Sequence, residues 1–202
     1  DETLTPVVGF VGPSERDMNR FHPLSVKSVA YTESCLGKIS YGNISYEWII
    51  SEALRTTSIL ERRLQTETTE FKSTSQNPAV FSLPSYSLSV GKSYILTLNV
   101  RSRLKTSATS SKSIIINVNR GKIVAIVSGG DRRVIPKGTW NQLDASSSYD
   151  QDKFGITGRA AGLRFAWSCI QLSPVYRTDC SSSFEFSNGM QNFSSIRTDN
   201  FL

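Results

Sequence analysis

"LRFAWSC" (residues 163–169) and "ISYEWII" (residues 44–50) each place a tryptophan two residues after another aromatic, Phe165 before Trp167 and Tyr46 before Trp48. Residues two apart on an extended strand share a face. Each stretch therefore reads as a strand that turns an aromatic pair to one side. The expectation is one structural element used twice: the central strand of two like units, with Trp48 and Trp167 as core plugs.

The surrounding sequence keeps the same period of two. "SYILTLNV" alternates Tyr94, Leu96, Leu98 and Val100 against smaller or polar residues, "SKSIIINVN" sets Ile114, Ile116 and Val118 on one face, and "KIVAIVSGG" does so with Ile123, Ala125 and Val127. Short β-branched runs bounded by Gly, Ser, Asn and Lys are strand signals, and many of them in series predict an antiparallel sandwich. "VVGFVGPSER" (7–16) lies in the same order before Trp48 as "IVAIVSGGDR" (123–132) does before Trp167: a β-rich run, a glycine turn, then an arginine. Between turn and tryptophan each half has a further polar-flanked strand, "HPLSVKSVAYTES" and "TWNQLDASSSYD". The fold class expected is all-β, two tandem antiparallel β-sandwiches over residues 1–119 and 120–202. The near absence of a linker at Asn119, Arg120 and Gly121 implies a stiff tandem. The second half stops where the first still has strands to come, so it reads as incomplete in its C-terminal strands. One stretch resists the pattern. In "SEALRTTSILERRLQTETTEF", Ser58 with Glu61 has capping-box spacing and Leu60 with Leu64 would share a helix face, so residues 52–66 fit either a short helix or an irregular strand and polar loop.

Of 202 residues, 38% are hydrophobic and 20% charged, a composition that can build cores rather than a disordered chain. No run approaches the ~18 apolar residues of a membrane helix. "DETLTPVV" has neither a basic start nor an apolar stretch, so the sequence reads as a piece of a longer protein. The net charge is +6, but the basic residues are dispersed. The densest groups, Arg62 with Arg63, Arg101 with Arg103 and Lys105, and Arg132 with Arg133, carry no interleaved aromatics. That pattern is a solvated surface and argues against nucleic acid. Three cysteines, Cys35, Cys169 and Cys180, include no CxxC zinc spacing. Cys169 and Cys180 are close enough in sequence for a strand-to-loop disulfide, leaving Cys35 as a buried thiol or a partner for another part of the parent chain. Two sequons, at Asn43 and Asn192, join the cysteine pair in pointing to a secreted or cell-surface setting.

"LSVGKSY" spaces Leu88, Gly91 and Tyr94 as a tyrosine-corner device: Leu88 plugs the core, Gly91 takes the turn, and Tyr94 hydrogen-bonds back across it. Chemistry finds little purchase. The only histidine, His22, precedes Pro23 with no nucleophile motif near it, and the Gly129–Gly130 turn is not followed by a helix that could cradle phosphate. The strongest candidate site is "LDASSSYDQD", whose Asp144, Asp150 and Asp152 are hard oxygen donors for calcium; the alternative is a polar loop whose Asp and Ser cap their own backbone. Trp140 is read either as core or as an exposed interface anchor between modules or towards a glycan.

"VSGGDRRVIPKGTWNQLDASSSYDQD" followed by "GLRFAWSCIQLSPVYRTDC" resembles the receptor-for-egg-jelly (REJ) module: Gly-Gly and Arg after a strand, Leu-Asp-Ala-Ser, then Trp-x-Cys and a second cysteine. The first half, with "YEWII" and "FSLPSYSLSVGKSYILTLNVRS", resembles the same module or the related polycystic-kidney-disease (PKD) repeat, but has no cysteine pair after Trp48. The resemblance implies immunoglobulin-like or fibronectin-like sandwiches in a large extracellular protein of the polycystin-like or gamete-recognition kind, and a calcium-holding loop in some PKD-like repeats. The resulting expectation is a non-catalytic adhesion, spacing or ligand-recognition module with no cofactor other than that calcium. Its partners would be other domains of the parent chain and a protein or glycan ligand. Membrane attachment would come only through other parts of the parent. A carbohydrate-binding accessory module of a secreted enzyme is the alternative.

Overall fold

The computed structural model describes residues 5–34, 37–53, 71–104, 108–136, 139–173 and 175–178, with the backbone of strands 184–185 and 193–197. The helix-or-loop stretch after Ala53 lies outside the described residues. The chain divides into two compact units, Asp1–Arg120 and Gly121–Leu202. The fold is all-β, and the described residues include no α-helix.

The first unit is a sandwich of two sheets. One sheet orders β2 (Glu15–Asn19), β8 (Thr109–Asn119), β7 (Ser93–Ser102) and β5 (Ile44–Glu52). The other is built on β3 (Leu24–Glu33), a ten-residue strand that pairs β6 (Val80–Leu83) through its first half, β1 (Val7–Phe10) through its second and β4 (Ile39–Ser40) at its end. Alternation decides which side chains meet. Leu24 and Val26 of β3 and Phe81 and Leu83 of β6 pack onto Ile50, Tyr94, Leu96, Ile114, Ile116 and Val118 of the facing sheet. Ala30, Ile44, Leu98 and Val100 form a second cluster. Val26, Phe81, Leu96, Leu98, Val100 and Ile116 are fully buried, and burying one such side chain stabilises by ~1.5–3 kcal/mol.

Not every pairing is antiparallel. β1 belongs to one sheet and β2 to the other, so the chain changes sheets across Val11–Ser14 and β2 then runs parallel to β8. Gly12 sits at this switch with φ +103°, a conformation L side chains resist. Arg16 holds the switch closed: its guanidinium donates to the carbonyls of Val11 and Pro13. Parallel pairing needs a long connection between its strands, and almost the whole unit lies between β2 and β8.

The second unit has shorter elements. β9 (Ile123–Val124) pairs antiparallel with β11 (Tyr149–Asp150), and β10 (Trp140–Asp144), β13 (Phe193–Arg197) and β12 (Phe184–Glu185) form an antiparallel sheet in the order β10-β13-β12. A 3₁₀ turn, Gly158–Ala161, follows β11. The expected inward face of Ile123, Ala125 and Val127 does not form. β9 is two residues long, Ile123 is 67% exposed, Ala125 is exposed, and Val124 and Val127 are the better covered. The run ends early because its backbone is engaged by loop side chains instead of a continuing ladder, as described below.

Gly12→Ala should lower the stability of the first unit by at least ~1 kcal/mol, since a Cβ there is strained and crowds the Arg16 guanidinium. Gly9→Ala, where a Cβ meets nothing within 4 Å, should be close to neutral in the same urea titration.

Candidate functional site

The two tryptophans occupy different settings. Trp48 lies on β5, which ends its sheet among the described strands, so the expectation of a central strand is corrected. Its charged Glu47 and Glu52 suit an edge, where charge discourages further pairing. The Trp48 ring nevertheless points inward, 5.9 Å from Phe10 and 5.6 Å from Phe81, which belong to two strands of the opposite sheet. Its Nε1 donates to the Pro78 carbonyl at 2.9 Å. Half-buried, it packs on both apolar clusters. Trp167 is also half-buried, but residues 163–170 carry no ladder and the Trp167 Nε1 is buried without an acceptor. The second central strand is likewise corrected: residues 163–170 form none of the strands described.

Leu88 and Tyr94 are buried, Gly91 has φ +76°, and the backbone N–H of Ser89 donates to the Tyr94 hydroxyl at 3.0 Å. The Gly91 N–H donates to Val118, tying this corner to the last strand of the unit.

The acidic loop is a buckle. Asp144 accepts the Ser146 N–H at 2.7 Å, and Asp150 accepts the Asp152 N–H at 3.0 Å, so both cap their own turns. Asp152 reaches further: its two oxygens accept the Gly121 N–H at 3.0 and 2.9 Å. Beside it Gln151 accepts the Lys122 N–H, and the buried Ser148 hydroxyl both accepts from the Ile126 N–H and donates to the Ile126 carbonyl. The loop thus sews down residues 121–126. Gly121 has no room for a side chain, since a Cβ would lie 2.8 Å from both Asp152 Oδ1 and Gln151 Cβ. The three aspartates are not brought together: the described residues hold no group of three or more His, Cys, Asp or Glu able to share a metal ion. In this structure each carboxylate is turned to a different backbone amide.

A residue that the sequence reading misplaced completes this picture. Arg133 donates to the carbonyls of Ser128 and Gly130, with Gly129 at φ +91° between them. These are the same offsets by which Arg16 grips Val11 and Pro13 around Gly12. The repeated glycine-arginine turn is real, but the counterpart of Arg16 is Arg133 and not Arg132. The signal was present in sequence; the neighbouring arginine put it one residue out of register.

Of the remaining candidates, Asn43 is exposed at φ +55°, in the turn entering β5. Cys169 is disulfide-bonded. His22 is exposed and rests against the Phe21 ring. Trp140 lies in β10 opposite Arg197, and its side chain lies outside the described residues, as do Cys35, Cys180 and Asn192. No helix among the described residues is long and apolar enough to cross a membrane.

Polar side chains that hold backbone, and aromatics that hold sheets together, define a β-structural module. The chain belongs to the REJ domain family, whose pattern it matches over residues 35–199. No curated protein matches it. Among solved structures it is similar to the SGBP-B protein of the Bacteroides ovatus mixed-linkage glucan utilization locus, in complex with a mixed-linkage heptasaccharide, at 13% identity and TM-score 0.38. It is also similar to the three N-terminal domains of the bacteriophage RB49 Highly Immunogenic Outer Capsid protein (Hoc), at 14% identity and TM-score 0.32. Both likenesses cover 98% of this chain but only 41% and 58% of the other chains. At these TM-scores neither decides fold or ligand.

Three outcomes test the site. Tyr94→Phe removes the acceptor of a partly buried amide and should cost ~1 kcal/mol in denaturant unfolding. Gly121→Ala should destabilise the second unit by ~1–3 kcal/mol, through overpacking against the buckle. A melting curve in millimolar calcium should superimpose on one in chelator. A rise in Tm with calcium would show that the aspartates leave their amides to bind it.

Proposed function

We propose that this chain is a non-catalytic extracellular module of a larger surface or matrix protein, serving adhesion, spacing or ligand recognition. Membership of the REJ domain family carries the reading. The disulfide at Cys169 supports it, since such bonds persist in oxidising compartments, and so does the exposed Asn43 sequon, which a glycosyl transferase could reach. In this reading Cys169 pairs with Cys180, Asn43 and Asn192 carry glycans, and the parent is of the ciliary or gamete-surface kind that the family resemblance implies.

Secretion of the chain from cultured animal cells tests the setting. A glycosidase-sensitive mass that Asn43→Gln reduces, and a Cys169–Cys180 linked peptide in non-reducing digests, are the expected results. Free thiols and an unmodified Asn43 would overturn the extracellular assignment. Beads coated with the secreted chain then test the role. Retention on cell surfaces that survives removal of cell-surface glycans indicates a protein ligand, retention lost on that treatment indicates a glycan ligand, and no retention leaves a spacer.

A further inference from the structure

The outer face of the sheet built on β3 is apolar at one end. Alternation along β3 turns Val29, Tyr31 and Glu33 away from the core. Directly opposed residues share a face, so β1 adds Val7 opposite Tyr31, and β4 adds Ile39 opposite Glu33, with Tyr41 following. Val7 and Val29 are each 43% exposed, Ile39 48% and Tyr41 66%. Tyr41 meets Tyr31 in an edge contact, ring centroids 6.1 Å apart, which leaves most of the Tyr41 ring in solvent. A large exposed aromatic within an apolar patch marks a surface that something covers.

An attachment point for that cover stands beside the patch. Asn43 opens the acceptor triplet Asn43-Ile44-Ser45, is exposed, and takes φ +55° in the bend entering β5. It follows Tyr41 by two residues, so the chain cannot put more than ~7 Å between their Cα atoms. The Arg103 N–H donates to the Asn43 carbonyl at 2.7 Å, and Ile44 is buried, so the backbone that carries the Asn43 side chain is held. Gly42, between the two, leaves the approach open: even an added Cβ would find only the Ser40 hydroxyl, at 4.0 Å. Positive φ by itself accounts for an asparagine here. It does not account for the tyrosine two residues earlier. A sugar does: one face of N-acetylglucosamine is a set of C–H groups of slight positive charge, which suits the negative face of an aromatic ring. The covalent link to Asn43 removes most of the cost of bringing the two together.

We infer that the first N-acetylglucosamine of a glycan on Asn43 packs on the Tyr41 ring and covers this end of the sheet, so that the sugar is part of the folded unit. The inference rests on the reading of Asn43 as glycosylated. Its test is a double-mutant cycle in the full chain secreted from animal cells, with Asn192→Gln leaving Asn43 as the remaining sequon. An endoglycosidase trims the glycan to a single N-acetylglucosamine. Hydrogen exchange at the β7 amides reads the opening constant of the first unit. Removing the sugar by Asn43→Gln should raise that constant about threefold more in the native chain, and in Tyr41→Phe, than in Tyr41→Ser. The cost of the Asn43 substitution itself cancels in this comparison, and so does the loss of the contact with Tyr31. The mass of the Asn43 peptide separates two failures. An unmodified Asn43 overturns the extracellular reading and this inference with it. A sugar-bearing Asn43 whose removal costs the same with and without the ring overturns this inference alone.

Discussion

The first unit depends on the contact of one indole with two phenyl rings. Trp48 comes from an edge strand of one sheet, while Phe10 and Phe81 come from β1 and β6, which both pair with β3 in the other. A sandwich has no backbone ladder between its layers, so side-chain contacts keep them in register. The ring spans both apolar clusters and its N–H is fixed to Pro78, so one side chain sets the depth at which the sheets meet. The alternation of β3, β7 and β8 fills the space that this contact defines.

The parts of the fold legible in the sequence are those set by local period. Tyr94 to Val100 and Ile114 to Val118 could be assigned faces because strand side chains alternate whatever lies beyond them. The corner of Leu88, Gly91 and Tyr94 was legible because its parts lie within seven residues. What could not be read was set by partners distant in sequence. Nothing in "ISYEWII" says that its strand ends a sheet, and nothing in "KIVAIV" says that Ser148 will take the backbone of Ile126. Nothing in "LDASSSYDQD" says that Asp152 will accept the Gly121 amide, because that partner lies 31 residues earlier in the chain.

The two glycine-arginine turns give one local problem the same answer twice. A chain that turns through positive φ directs its carbonyls away from a regular ladder, and a guanidinium with several donors can collect them. Arg16 and Arg133 do so from the same offsets. In the first unit the turn is what allows β1 and β2 to serve different sheets.

That change of sheet has a mechanical consequence. β2 and β8 run in the same direction, in register from Glu15 opposite Ile115 to Asn19 opposite Asn119, with Asn117 also bonded to the Glu15 side chain. Tension applied at the start of β2 and the end of β8 pulls the strands in opposite directions along their shared axis. The ladder is then loaded in shear, and its bonds must yield together instead of peeling one at a time. A unit joined through these two strands resists stretching at the point where it is held.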